Sequence, residues 1–362
     1  MKIAYVIEDF YIGGGVERII SEKANIMSAQ WGHDITLISI YRDTPRQTYR
    51  LDNNVKLLFL NVPMAAKSSS KTIKAFSRIT TLARAAVRLN SALAQINPDI
   101  IFFATTLSAL LLPLCNIRAK KVFESHSARM FTPYSRLFGF MERRADAVVC
   151  LTQDDAREYK GARRVEVIPN FADNPGKHVD NYAVKKAIAV GRLEHVKGFD
   201  MLIDCWKEVA KAHPDWQLDI YGEGSLHEEL QRQITRCGLE GRVVLRGRCE
   251  NMTEAYTGHS LHIMSSRYEG QPMTLIEAQA CGLPSVVFNF NYGAKDIVSN
   301  GYNGIIVPQN DLNALSGAIV QMAGDEALRA KYGVNARLTA DRFDRDRIME
   351  KWRQLINRLC AE

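Results

Sequence analysis

The stretch LHIMSSRYEGQPMTLIEAQACGLPSVVF, residues 261–288, decides the fold. LHIM (261–264) and SVVF (285–288) are short apolar runs of strand length. Between them, Gly270 and Pro272 make a turn, and a helical pattern starts near Met273. Strand, turn, helix and strand in that order are one βα unit of a parallel sheet.

The same alternation runs outward in both directions. Toward the C-terminus lies GIIV (304–307). Toward the N-terminus lie RVVLRG (242–247), WQLDIYG (216–222) and KAIAVG (186–191). Before these comes NFADNPGKHVDNY (170–182), polar and broken by Pro and Gly, the best linker candidate in the chain. A second series precedes it: IAYVI (3–7), DITLIS (34–39), VKLLFL (55–60), DIIFFA (99–104), KVFES (121–125), AVVCL (147–151) and VEVI (165–168). With 362 residues the chain is long enough for two cores. The expected organisation is an α/β chain of two doubly wound halves: a first domain at 1–172, a linker at 173–184 and a second domain at 185–342. A C-terminal amphipathic segment, 343–362, is expected to pack back onto the first. Ligands in such sheets sit beyond the carboxyl ends of the strands, so the strand-end loops carry the candidate chemistry.

Three loops stand out. GGGVER (13–18) follows the first strand; Gly14 and Gly15 permit close approach of a bound group, or simply a tight turn. A dinucleotide fingerprint is excluded, since Arg18 stands where a third spaced glycine would fall. GRLEHVKG (191–198) places Arg192 and Lys197 at a strand end, where two cations can neutralise a diphosphate leaving group. In the opening stretch, the helix start after Gly270, Gln271 and Pro272 offers free N–H groups at Met273, Thr274 and Leu275 to a phosphate. Thr274 adds a hydroxyl, Glu277 can accept hydrogen bonds from a ribose diol, and Glu269 sits nearer a sugar.

Composition narrows the rest. Apolar residues are 46% and charged residues 24%, which excludes disorder, collagen and coiled coil. Seven cysteines at wide spacing signal neither a disulfide framework nor a zinc knuckle, and suggest a reducing compartment. Glu8 and Asp9 interrupt the first apolar run too early for a signal-peptide core, and the longest apolar run (100–115) is too short for a membrane span. His259 and His262 have metal-like spacing without a third ligand. Thr152 with Asp155 reads as a helix capping box rather than an acidic metal site.

The net charge of +7 is uneven: residues 1–175 hold 24 basic against 16 acidic residues, and the remainder is close to neutral. No acidic residue occurs between Asp52 and Asp99. On a helix from about 70 to 96, Lys71, Lys74, Arg78, Arg84 and Arg88 occupy one sector and Ile73, Phe76, Ile79, Ala83, Val87 and Leu93 the other. The apolar side is expected to dock on the sheet and the cationic side to meet something anionic, a membrane surface or phosphate. A nucleic-acid partner is disfavoured, because there is no recognised motif and no aromatic interleaving.

The ordered set GGxE (Gly14 to Glu17), GRL…KG and E-G-x-P-x4-E followed by ACGLP resembles the family 4, group 1 retaining glycosyltransferases of the GT-B fold. That resemblance covers essentially the whole chain. It implies two Rossmann-like domains facing a central cleft, a nucleotide-sugar donor held mainly by the second domain, an acceptor held mainly by the first, and no obligatory metal. It further implies that Arg192 and Lys197 bind the diphosphate, Glu277 the ribose and Glu269 the donor sugar, with main-chain contacts from Gly270 to Leu275. Gly222 and Gly224 in YGEG, and Arg246 to Arg248, match loops near the base and ribose, and His126 in ESHS matches a histidine facing the donor sugar. Gln271, where many members have Phe, and NYGAKDIV (291–298) depart from the commoner pattern; similar GAKDI segments occur in members that build lipid-linked oligosaccharides. The implied activity is transfer of a hexosyl or N-acetylhexosaminyl group from a UDP-sugar to a lipid-linked glycan at the cytoplasmic membrane face. Sugar-nucleotide epimerisation is the alternative within the same fold.

Overall fold

A computed structural model describes residues 1–12, 14–42, 49–65, 71–131 and 135–361. Gly13 and Lys67 lie outside the described residues, as do the side chains of Lys71 and Lys74. The chain divides into two compact units, Met1–Ile168 with Met349–Glu362, and Pro169–Ile348.

The first unit carries strands β1 (Lys2–Ile7), β2 (Asp34–Ser39), β3 (Lys56–Phe59), β4 (Ile100–Phe103), β5 (Lys120–Glu124), β6 (Ala147–Cys150) and β7 (Val165–Val167). Its helices are α1 (Gly15–Ala29), α2 (Lys71–Ile96), α3 (Thr106–Leu111), α4 (Ser135–Glu142) and α5 (Gln153–Ala156). The described strands pair in parallel in the order β3-β2-β1-β4-β5-β6-β7. Strands such as β4 and β6 are buried along their whole length, so they read as unbroken apolar runs rather than alternating ones.

The second unit carries β8 (Lys186–Val190), β9 (Gln217–Tyr221), β10 (Val243–Gly247), β11 (Leu261–Met264), β12 (Ser285–Phe288) and β13 (Gly304–Val307). Its helices are α6 (Phe199–Ala212), α7 (His227–Arg236), α8 (Met252–Thr257), α9 (Met273–Ala280), α10 (Ala294–Ile297), α11 (Leu312–Gly324) and α12 (Glu326–Ala340). A final helix, α13 (Arg345–Ala361), begins in this unit, and its residues from Met349 belong to the first. The parallel order is β10-β9-β8-β11-β12-β13. Every strand expected from the sequence is found, with bounds within one residue. The two sheets are Rossmann-like, and each reverses direction beside its first strand: β1 between β2 and β4, β8 between β9 and β11.

Residues 173–184 are part of the second unit: Val179 is buried, its N–H bonds to Cys281 O, and Tyr182 Oη donates to Gly282 O. In the C-terminal helix, Trp352 packs edge-on against Phe102 of β4.

One expectation is overturned. The apolar stripe of α2 does not dock on the sheet: Ile73, Phe76, Ile79, Ala83 and Val87 are exposed, and of the expected apolar side only Leu93 is buried. The seam that does pack is Thr81, Ala85, Leu89 and Leu93, spaced by four residues. Ala85 lets the helix approach closely, and the sector assigned to cations contains this seam. Arg88 is accordingly turned back to cap Leu60 O and Asn61 O at the end of β3.

Candidate functional site

The crevice at a topological switch point is where an open α/β sheet places a ligand. In the second unit that point is between β8 and β11, and the two loops leaving these strands carry Arg192, Lys197 and Glu269. They are stitched together by Ser265 Oγ donating to Lys197 O (3.0 Å), by Arg267 N donating to Val196 O (2.8 Å), and by a two-pronged Arg267 to Asp200 ion pair. Gly198 makes the fit possible: its φ is +65°, and a Cβ there would lie 2.1 Å from Ser265 O.

Lys197 ends a single 3-10 turn, His195–Lys197, and its Nζ donates to Glu269 Oε1 at 2.7 Å. Ser266 Oγ donates to the same oxygen at 2.6 Å. Arg192 is exposed on the same loop; hydrogen bonds from Ser225, with Arg192 adding to them, hold the Glu194 carboxyl below its usual range. Helix α9 starts three residues beyond Gly270 with Pro272 as its cap, so no side chain caps its first turn. Two buried polar atoms there, Thr274 Oγ1 and Gln271 Nε2, have no partner among the described residues. Gln271 Oε1 is taken by Asn170 N (2.7 Å), so the residue that departs from the family pattern pins the start of the second unit to this turn. Gly293 of NYGAKDIV, at φ +92°, packs against Pro272 and Gly270. Glu277 accepts from Tyr256 Oη at 3.3 Å, one helical turn after Thr274.

Gly222 and Gly224 are structural requirements of the same edge. A Cβ on Gly222 (φ +139°) would lie 1.9 Å from Gly191 O, and one on Gly224 would lie 2.5 Å from Leu193 O. The loops after β8 and β9 therefore touch backbone to backbone, with Gly191 N bonded to Tyr221 O and Leu193 N to Glu223 O. Arg248 is exposed, whereas Arg246 is committed to Asp219 (3.0 Å), which also meets His259 Nε2 (3.1 Å). Burial works against the Asp219 charge, but these two partners hold the carboxyl below its usual range. His262 turns elsewhere, to Ser285 Oγ, so the two histidines do not converge.

In the first unit the switch point lies between β1 and β4. A cavity of about 150 Å³ opens there, lined by Glu8, Glu17, Thr105, Glu124, His126 and their neighbours. Glu17 closes the first turn of α1 by accepting from Gly14 N (2.9 Å), a capping-box contact, while Gly15 has open space around it. His126 Nε2 lies 3.0 Å from Glu124 Oε1. Beneath them Lys23 of α1 forms a fully buried ion pair with the same oxygen, and its ammonium stands 3.7 Å above the Trp352 ring. Burial would raise the Glu124 pKa, but Lys23 and His126 outweigh it and hold it at about 2. Glu124 Oε2 is buried without a partner among the described residues.

Lys23 and Glu124 escaped the sequence reading, although a signal existed: Lys23 interrupts the buried stripe Ile19, Ile20, Ala24 and Met27 of α1. Thr152 caps α5 by accepting from Asp155 N, but the expected capping box is only half made, since Asp155 Oδ1 accepts instead from Arg129 N (2.8 Å). Of the cationic helix residues whose side chains are described, Arg78, Arg84 and Arg88 are all exposed, and Arg88 is bonded back to the end of β3. No helix among the described residues is long and apolar enough to cross a membrane.

Residues 13–174 match the family described as Glycosyltransferase Family 4, and residues 171–339 match Glycosyl transferases group 1. The chain is 27% identical over 373 residues to the amylovoran biosynthesis glycosyltransferase AmsD of Erwinia amylovora, covering 98% of this chain and 99% of that one. It is 25% identical over 368 residues to the GalNAc-alpha-(1->4)-GalNAc-alpha-(1->3)-diNAcBac-PP-undecaprenol alpha-1,4-N-acetyl-D-galactosaminyltransferase of Campylobacter jejuni, covering 98% of each. Among solved structures, a TarM variant of S. aureus in complex with fondaparinux, alpha-GlcNAc-glycerol and UDP superposes with a TM-score of 0.80 at 15% identity, over 98% of this chain and 99% of that one. With two Rossmann-like sheets and family matches that together run from residue 13 to residue 339, the chain belongs to the family 4, group 1 glycosyltransferases and is a glycosyltransferase of the GT-B fold.

Proposed function

We propose that this enzyme transfers a hexosyl or N-acetylhexosaminyl group, with retention, from a UDP-sugar to a lipid-linked glycan in bacterial polysaccharide, O-antigen or glycoprotein glycan synthesis. The observation that carries the donor half is the cluster at the second switch point: Lys197 against Glu269, beside a helix start whose first-turn N–H groups no side chain caps. Departure of UDP breaks the bond from the sugar C1 to the phosphate oxygen, and the electron pair stays on UDP. Lys197, Arg192 and the N–H groups from Gly270 to Leu275 meet that negative charge, which is the arrangement preorganised donors exploit. The acceptor oxygen forms the new bond to C1, and its proton leaves with the departing UDP or to solvent.

Glu269 positions the sugar and stabilises its developing positive charge, Thr274 Oγ1 takes a phosphate oxygen, and Glu277 takes the ribose diol. Gly222, Gly224 and Arg248 border the base, with Arg246 holding that edge through Asp219. His126 faces the transferred sugar, and Gly14 and Gly15 give it room. With this charge inventory no metal is required.

The acceptor half is supported by the name of the Campylobacter relative, which specifies an undecaprenyl diphosphate acceptor. Here Arg78 and Arg84, in a segment without any acidic residue, are the cations suited to such phosphates, and the enzyme works at the cytoplasmic membrane face. Thermal shifts with nucleotides test the donor, since a bound ligand stabilises the fold by mass action. UDP is expected to raise the melting temperature more than GDP; the reverse order, or epimerised nucleotide sugar formed without acceptor, would overturn the reading.

A further inference from the structure

Lys23 is a lysine in an apolar place. Its side chain is 1% exposed on the buried stripe of α1, and its ammonium meets one oxygen among the described residues, Glu124 Oε1, together with the rings of Trp352 and Tyr5. A buried ion pair seldom adds stability over apolar side chains of similar volume, so folding alone does not account for this one.

Its surroundings point to the cavity. Glu124 ends β5 and lines the space of about 150 Å³ at the first switch point, and His126, two residues on, lines it as well. Lys23 Nζ and His126 Nε2 meet the same carboxylate oxygen, the ring nitrogen at 3.0 Å. That oxygen lies off the line of the ring N–H, a bend that a small rotation removes, and hydrogen bonds of a reaction site commonly tighten when substrate arrives.

A carboxylate beside an imidazole has two effects. It fixes which ring nitrogen carries the proton, and where its charge is unopposed it stabilises the imidazolium. Lys23 separates the two. Its ammonium neutralises Glu124 from behind, so the carboxylate orients the ring without drawing a second proton onto it. The other carboxylates of the cavity are also engaged: Glu17 accepts from Gly14 N at the start of α1, and Glu8 from Leu107 N (2.7 Å) at the start of α3.

We propose that Lys23 and Glu124 are positioning residues that hold His126 as a neutral ring with its proton on Nε2, leaving Nδ1 as the acceptor for a sugar hydroxyl in the cavity. The hydroxyl rests on the reading of His126 as a residue facing the transferred sugar; the state of the ring does not.

The test is long-range 1H–15N spectroscopy of the full chain labelled in its histidine rings, at pH 7.5, with the His126 signals assigned by their absence in His126→Gln. The parent is expected to show one neutral tautomer, protonated at Nε2. In Lys23→Met the carboxylate loses its counter-charge, and the ring should become an imidazolium at the same pH. The double variant Lys23→Met, Glu124→Gln carries neither buried charge and serves where the single variant does not fold. Its ring should stay neutral and populate both tautomers, since a carboxamide can accept or donate. An imidazolium or an Nδ1–H tautomer in the parent, a neutral ring in folded Lys23→Met, or a double variant with the parent's tautomer overturns the proposal.

UDP-glucose, UDP-galactose and their N-acetylhexosamine counterparts test the hydroxyl. A donor that raises the melting temperature should move the Nδ1 signal of the parent, and UDP alone should leave it in place; equal effects of UDP and that donor would remove the hydroxyl from the proposal. If the ring state holds while none of these ligands shifts the melting temperature, the donor reading falls and the positioning role stands. If a donor binds and the ring state fails, the positioning role falls alone.

Discussion

Lys197 and Glu269 are bonded to each other, Nζ to Oε1 at 2.7 Å, across the two loops that leave β8 and β11. The cation proposed for the diphosphate and the carboxylate proposed for the sugar thus neutralise each other, with side chains only 17% and 12% exposed. A diphosphate arriving beside Lys197 competes for its ammonium and releases negative charge on Glu269 where positive charge develops on the sugar. Ser266 Oγ, on the same oxygen, keeps the carboxylate in place when the lysine turns away.

This pairing predicts opposite effects on binding and turnover. Glu269→Gln removes the competing charge, so UDP should bind a few-fold more tightly, a change of about 1 kcal/mol. Turnover should fall by about 10²-fold or more, the size found for loss of one electrostatic contact to a transition state. Calorimetry of UDP binding together with initial rates decides it; an unchanged turnover would remove Glu269 from the mechanism.

Lys197→Met predicts the complementary result. It strands a half-buried carboxylate and takes one cation from the leaving group, so kcat/KM should drop by about 10²–10³-fold and UDP affinity should fall as well. Transfer by the parent enzyme should persist in excess EDTA, since protein cations and N–H groups meet the diphosphate. Loss of activity in EDTA, restored by a divalent ion, would contradict that assignment.

At Gly222 the prediction concerns folding of the site edge. With φ at +139° and Gly191 O only 1.9 Å from a Cβ, Gly222→Ala must push two strand-end loops apart. Backbone strain of this kind costs about 1–3 kcal/mol, and the clash adds to it. A lower melting temperature and weaker UDP binding are expected, while Gly15→Ala, with nothing within 4 Å of its Cβ, should leave stability nearly unchanged. Equal melting temperatures for the Gly222 variant and its parent would show that the loops yield freely.

In the first unit, Glu124→Gln leaves Lys23 as a buried cation without a counter-charge, over the rings of Trp352 and Tyr5. Breaking a buried pair on one side costs about 3–5 kcal/mol. The double variant Lys23→Met, Glu124→Gln should recover most of that loss, because both charges leave together. Urea denaturation of the two proteins measures the difference, and equal stabilities would mean that Lys23 finds another partner.

The sheets were legible because strands buried on both faces write themselves as apolar runs, and the loops after β8 and β11 because Gly, Pro and small residues surround their charged positions. Pairings were less legible. Lys197 to Glu269 spans 72 residues and Lys23 to Glu124 spans 101, so each exists only through sheet order. The docking face of α2 was misread for a different reason. Its most apolar stripe and its packing seam are not the same, since Ala85 with Leu89 and Leu93 fits the sheet closely and leaves Phe76 and Val87 outside. An apolar period shows that a face needs cover without saying what supplies it.

His262 gives the fold a dependence on acid. Its ring is fully buried on β11, with Nδ1 3.2 Å from Ser285 Oγ and Nε2 without a partner among the described residues, and burial pushes its pKa from 6.5 down to about 3. The folded chain therefore keeps this ring neutral while the unfolded chain protonates it below pH 6.5. Stability is complete above that value and is lost as pH falls toward 3, by about 1.4 kcal/mol per pH unit from this group alone. Asp155 acts with the opposite sign, because burial raises its carboxyl to about 6 and the folded chain holds a proton there that the unfolded chain has released. Total stability is thus a sum of opposed slopes, and the His262 contribution is read by difference. Urea melts of the parent and of His262→Gln, from pH 7 to pH 4.5 at fixed ionic strength, should show the parent losing stability more steeply. Parallel curves would mean that the buried ring is protonated in the fold, with Ser285 and a water as its partners.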